Sequence, residues 1–124
     1  MVTFERIDTV FLPVRDLSKA LVWYADTLGF DIAWQNECVG SLTAGETALS
    51  LLQYGYPGYP TPPDGFVFEP NRHVSFNLYV EDIEQVHRLL REKGVSVRPI
   101  SDHGQVKDFL FEDLDGNLLS VVSW

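Results

Sequence analysis

Few side chains in this sequence are histidine or cysteine, the types that most often serve as metal ligand, general base or nucleophile: His73, His87, His103 and Cys38. Histidine serves as metal ligand or general base, and cysteine as nucleophile, only where partners converge on them. His73 opens an alternating segment, with Val74, Phe76, Leu78 and Val80 on one side and His73, Ser75, Asn77 and Tyr79 on the other. On that mixed face His73 would be a hydrogen-bonding or weakly basic group, and as a metal ligand it would need donors from other strands. His103 lies in Ser101-Asp102-His103-Gly104, a turn sequence in which it is expected to be solvated, and His87 sits beside Arg88 at an expected surface position. No His and acid pair is recognisable for Cys38, which is expected to pack as a small side chain. Asp108 has no assigned facing, because residues 106–112 are nearly apolar on both sides. Neither a glycine-rich phosphate loop nor two acids at recognisable inward positions can be found. What remains is binding chemistry. Phe11, Trp34, Tyr54, Tyr79 and Trp124 could wall a cavity by stacking and cation–π attraction, and the amides of Gln53 and Asn77 could orient a ligand.

These groups belong to a chain of 124 residues, 45% hydrophobic and 22% charged, which suits one compact domain or two very small modules that share a core. Eighteen acids against nine bases give a formal charge of −9. Such a surface repels phosphate backbones, so no nucleic-acid partner is expected, and its field favours solubility or cationic ligands. No apolar run approaches the ~20 residues of a membrane span, so no membrane partner is expected. The first residues lack a basic then apolar leader pattern, and the lone Cys38 fits a reducing compartment; a cytoplasmic location is the expectation.

An internal repeat organises the elements. Leu12-Pro13-Val14-Arg15-Asp16-Leu17 resembles Leu78-Tyr79-Val80-Glu81-Asp82-Ile83 at an offset of 66. Each is followed by a helical pattern that stops at Gly29 or Gly94, then by a short alternating strand, Phe30-Asp31-Ile32 or Val95-Ser96-Val97. Asp16 and Asp82 are N-cap residues, with Gln85 placed for a capping box. Leu17, Ala20, Leu21, Tyr24, Ala25 and Leu28 form one apolar stripe; Ile83, Val86, Leu89 and Leu90 form the other. Strands are expected at 9–14, 38–43, 47–54, 73–80, 106–112 and 117–123, with a hairpin turn at Asp113-Leu114-Asp115-Gly116-Asn117. The chain therefore reads as a single α+β domain of two βαβββ modules, residues 4–54 and 73–124, joined by a Pro-, Gly- and Tyr-rich linker, 55–72.

Val14-Arg15-Asp16-Leu17, Trp23-Tyr24 through Leu28-Gly29-Phe30, and Asp113-Leu114-Asp115-Gly116-Asn117, in that order and with the repeat, resemble the vicinal oxygen chelate superfamily. That group includes glyoxalase I, extradiol dioxygenases, and fosfomycin- and bleomycin-resistance proteins. Leu114 stands where many relatives have proline. The resemblance implies two βαβββ modules forming an open, U-shaped mixed sheet around a cavity, in a homodimer. It also implies metal-ligand positions at Thr9, Leu51, Ser75 and Ser120, none of which is His, Asp, Glu or Cys. A catalytic ion needs three or four good donors. The expectation is therefore a member without metal or other cofactor, close in character to the bleomycin-resistance proteins. It would sequester a cationic, aromatic small molecule, as in antibiotic resistance, rather than transform it.

The expected cavity lining is Thr9, Phe11, Trp34, Leu51, Gln53, His73, Ser75, Asn77 and Ser120, with no catalytic residue among them. The alternative is a glyoxalase-like lyase or dioxygenase that holds a divalent ion through displaced ligands anchored by His73. A third reading is a scaffold whose inward face is simply packed.

Overall fold

The computed structural model describes residues 1–56 and 68–124. The chain divides into two compact units, Met1–Glu69 and Pro70–Trp124. The first contains β1 (Thr9–Val14), α1 (Leu17–Leu28), β2 (Asp31–Gln35), β3 (Val39–Ala44) and β4 (Thr47–Gln53). The second contains β5 (Asn77–Tyr79), α2 (Ile83–Glu92), β6 (Ser101–Asp102), β7 (Lys107–Glu112) and β8 (Leu118–Ser123). Both are βαβββ modules of one mixed four-stranded sheet, in the orders β1-β4-β3-β2 and β5-β8-β7-β6. The repeat thus reaches to strand pairing: in each module the last strand lies parallel to the first and antiparallel to the third.

Local chemistry sets the helix ends. The Asp16 carboxylate accepts from the Lys19 N–H at 3.1 Å and that of Asp82 from the Gln85 N–H at 3.1 Å. Gly29 closes α1 in the left-handed region, φ 78°, as Gly94 does after α2, φ 82°. Leu17, Ala20, Leu21 and Tyr24 of α1 are buried against the sheet face that carries Leu12, Val14, Leu42, Leu49 and Leu51. In the second module Ile83 and Leu90 share a core with Phe109, Phe111, Leu119 and Val121. Leu89, expected in that core, is 43% exposed. His87 is half-buried rather than at the surface: its ring meets Phe109 edge-on at 4.9 Å, and its Nε2 lies 2.9 Å from the Arg98 carbonyl.

Two expected strands are shorter than their alternation suggests. The segment from His73 is a strand only over Asn77–Tyr79, because Asn71 turns the chain ahead of it, its side chain accepting from the His73 N–H at 3.0 Å. Residues 95–97 make only a single bridge, Val97 to Phe111, and β6 forms instead at Ser101–Asp102. Residues 70–72, at the end of the expected linker, are bonded into the second module. The Asn71 N–H donates to Asn117 Oδ1 at 2.7 Å, and Arg72 pairs with Glu112 at 2.9 Å. Asn117 is fully buried in the β7–β8 turn and donates through Nδ2 to Asp113. Residues 57–67 of the linker lie outside the described residues.

Candidate functional site

The open face of the first module's sheet carries the site. Strand register places one residue from each strand in a row: Phe11 beside Ser50, Ser50 beside Ser41, and Ser41 beside Trp34. An aromatic side chain therefore stands at each edge of the sheet, with two buried hydroxyls between, 3% and 5% exposed at Ser50 and Ser41. Four strands put the two aromatic backbones about 14 Å apart. Asp8, Thr9, Ala48, Val39, Leu52 and Tyr56 complete the lining of a concavity of about 590 Å³. That volume is in the range of small-molecule sites, and the mixture of aromatic walls with few convergent polar groups is typical of them.

A β-bulge puts Trp34 there. Ile32 pairs with Leu42, and Trp34 pairs with Ser41, so Ala33 has no partner. In a regular strand residues 32 and 34 would face the same way; the extra residue turns Trp34 to the hydroxyl side. Trp34 is 53% and Phe11 58% exposed, so both keep a free ring face. On the floor, Thr9 Oγ1 stands 2.7 Å from Ser50 Oγ and 3.1 Å from the Ala48 carbonyl. Of the bases, residues 1–69 hold only Arg6, Arg15 and Lys19 against nine acids, so the field of this module favours cations; Asp8 at the pocket edge lies 3.6 Å from Arg6 Nη2, an exposed pair.

Among the expected lining residues, the structure brings together Thr9, Phe11 and Trp34. Leu51 is not in the pocket: it is fully buried on the helix side of β4. Gln53, of the same strand parity, turns to the start of α1, where its Oε1 accepts from the Leu17 N–H at 2.9 Å and its Nε2 donates to the Arg15 carbonyl at 2.7 Å. The residues of β4 that face the pocket are Ala48, Ser50 and Leu52, one step out of phase with the sequence reading. Leucines on both sides of Ser50 hide the alternation, although a lone serine within so apolar a strand was a usable signal, as was Ser41 in β3.

The remaining expected residues belong to the second module. Asn77 pairs with Ser120 there, while His73 and Ser75 precede β5 and are exposed, with the Ser75 hydroxyl donating to the His73 carbonyl at 3.4 Å. Tyr54 packs edge-on against Phe68 at 5.2 Å, and the Arg15 guanidinium sits 4.5 Å from the centre of that ring. Tyr79 and Trp124 pair with each other at 4.9 Å. His103 Nε2 lies 3.3 Å from Asp108 Oδ2, an exposed pair of little energetic weight.

Among the described residues, the positions that the resemblance assigns to metal ligands offer no strong donor to a divalent ion. Phe11 and Asn77 are 66 residues apart in the repeat, so register makes Ser50, beside Phe11, the counterpart of Ser120, beside Asn77. The resemblance places ligands at Thr9, Leu51, Ser75 and Ser120; register moves the β4 position from Leu51 to Ser50, and the set then consists of neutral hydroxyls, weak donors to such an ion. Among the described residues, no group of three or more His, Cys, Asp or Glu side chains could hold one.

Comparison with known proteins agrees with this architecture. The family model described as "Glyoxalase/Bleomycin resistance protein/Dioxygenase superfamily" matches residues 6–121. Biphenyl-2,3-diol 1,2-dioxygenase 3 of Rhodococcus globerulus is 25% identical over 122 residues; the match covers 98% of this chain and 64% of that enzyme's length. Among solved structures, TnmS3, an antibiotic binding protein from Streptomyces sp. CB03234, superposes with a TM-score of 0.78 at 23% identity, covering 98% of this chain and 97% of that one. Lactoylglutathione lyase from Agrobacterium tumefaciens gives 0.73 at 18% identity, covering 96% and 93%. At these identities the two structures show a shared fold.

Proposed function

Because the chain belongs to the Glyoxalase/Bleomycin resistance protein/Dioxygenase superfamily, whose members include binders and metal enzymes, we propose that it is a binder: it sequesters a flat aromatic cation in the first-module pocket without metal or other cofactor. The observation that carries this reading is the row Phe11–Ser50–Ser41–Trp34, which offers stacking faces and hydroxyls but no ligand set for an ion. Aromatic faces attract a planar cation, and the acidic field adds to that attraction. The solved antibiotic binding protein of the same fold lends the reading support. The protein is proposed to work in the cytoplasm as a homodimer.

The test is calorimetric titration with 9-aminoacridine, a planar cation at neutral pH, together with metal analysis of protein offered Fe, Mn, Ni, Co and Zn. Trp34 is 53% exposed, so a stacked ligand covers on the order of 100 Å² of it. At about 25 cal/mol per Å² this is about 2.5 kcal/mol, and with a partial cation–π contribution of about 0.5 kcal/mol Trp34→Ala should lower affinity by roughly two orders of magnitude. One tightly held ion per chain, or equal affinity in the variant, would overturn the reading and direct attention to lyase or dioxygenase assays.

A further inference from the structure

The hydroxyls on the pocket floor can use both of their protons in only one direction. A serine or threonine hydroxyl has one proton to give and two lone pairs with which to accept. Thr9 Oγ1 lies 3.1 Å from the Ala48 carbonyl oxygen and 3.4 Å from that of Val10, and neither carbonyl has a proton to offer. Thr9 Oγ1 also stands 2.7 Å from Ser50 Oγ. A Thr9 proton given to the nearer carbonyl, Ala48, leaves Oγ1 able to accept from Ser50, so both protons are used; a Thr9 proton given to Ser50 would leave the Ser50 proton without a partner among the described residues. The relay runs from Ser50 to Thr9 to the Ala48 carbonyl, and it leaves Ser50 Oγ with lone pairs and no proton for a ligand. Ser50 is 3% exposed, so its hydroxyl has little water to turn towards. Asp8, on the same pocket, is when ionised another group that only accepts.

We infer that this pocket selects aromatic ligands that present a hydrogen-bond donor to Ser50, such as a protonated amine or an amidinium, and disfavours those that present a carbonyl, a carboxylate or a bare ring there. Thr9 is the specificity-determining residue behind this choice, because it fixes where the Ser50 proton points. The inference rests on the binding reading above and narrows it from charge to donor geometry. Phe11 and Trp34 flank Ser50 and Ser41 in register, so a ring stacked in the row lies over the acceptor.

Two probes separate donor from charge. 9-Aminoacridine and N-methylacridinium share a tricyclic ring and a single positive charge, but only the first has N–H donors. Calorimetric titration of the wild-type protein should favour 9-aminoacridine about tenfold, the weight of one charge-assisted hydrogen bond. Thr9→Val keeps the shape of the side chain while freeing the Ser50 hydroxyl to rotate, and Ser50→Ala removes the acceptor; each should bring the ratio towards unity, with folding checked by circular dichroism. Equal binding of both probes to wild type, or tighter binding of N-methylacridinium, would overturn the donor rule and leave the binding reading standing. A ratio unchanged in Thr9→Val would overturn the role of Thr9. Binding of neither probe would overturn the binding reading itself, and the donor rule with it.

Discussion

Gln53 gives the sharpest test of the placement of β4. Its side chain is the anchor of the first helix: Oε1 accepts from the Leu17 N–H at 2.9 Å, and Nε2 donates to the Arg15 carbonyl at 2.7 Å and the Tyr54 carbonyl at 3.3 Å. Leu17 is the first residue of α1, so its N–H has no partner within the helix. Asp16 does not relieve it, being bonded to the Lys19 N–H. Gln53→Met keeps the length and packing of the side chain and removes both good bonds. Arg15 is exposed, so water takes over at its carbonyl, while Leu17 is only 5% exposed and its N–H is poorly placed to find a substitute. One bond largely replaced and one donor left unsatisfied amount to about 2 kcal/mol. With a urea m-value of about 2 kcal/mol per molar, the unfolding midpoint should fall by roughly 1 M at unchanged m. Affinity for 9-aminoacridine should match wild type, because the residue faces the helix. A midpoint within about 0.2 M of wild type would refute the anchoring role. Lost binding at intact stability would return Gln53 to the pocket.

Gly40 lies where an added Cβ would come within 2.8 Å of Leu21 Cδ1 and 3.0 Å of its Cγ, so Gly40→Ala should destabilise by about 1–3 kcal/mol in urea unfolding. Adding Leu21→Ala should cost less than the sum of the two single changes, a coupling that an additive result would rule out. The Lys107–Glu84 pair, 2.7 Å apart, holds the Glu84 carboxyl below its ordinary 4.5, chiefly through the hydrogen bond, and raises Lys107 above its ordinary 10.5 for the same reason. Its contribution is fully present between those ordinary values; it is lost as pH falls through the depressed Glu84 pKa or rises through the elevated Lys107 pKa. In a carboxyl NMR titration, Lys107→Met should move the Glu84 midpoint upward, and an unmoved midpoint would contradict the assigned cause.

The repeat, the helix caps and the helix-facing half of each core were legible because they rest on local chemistry. Asp16, Asp82, Gly29 and Gly94 act within one turn of the chain, and the offset of 66 carried over to identical strand orders. The pocket was only partly legible, since its positions depend on pairing rather than on residue type. The run Leu49-Ser50-Leu51-Leu52 is apolar on both faces, and only pairing with β1 and β3 decides which side Ser50 takes. The bulge at Ala33 reverses the parity of β2 beyond it, which no alternation count can show. His73 sits on a tidy alternating pattern, yet the Asn71 turn keeps it out of the strand.

The parallel strand at the edge of the first module has a kinetic consequence. Pairing of β2 with β3 and of β3 with β4 joins neighbours in the chain, whereas Thr9 meets Ala48 across 39 residues. Loop-closure entropy opposes that distant contact more than the hairpins, so the hairpins are expected to assemble first and β1 to dock onto a ready-made edge. Docking of β1 is also the step that brings Thr9 to Ser50 and installs the acceptor. A half-assembled module of β2, β3 and β4 has Trp34 at one edge but neither Phe11 nor Thr9, and so no polarity to read with. Any ligand held at Ser50 therefore draws the closing step along by mass action. Its occupancy would be recorded as slowed amide exchange along Thr9–Val14, in the strand that arrives last.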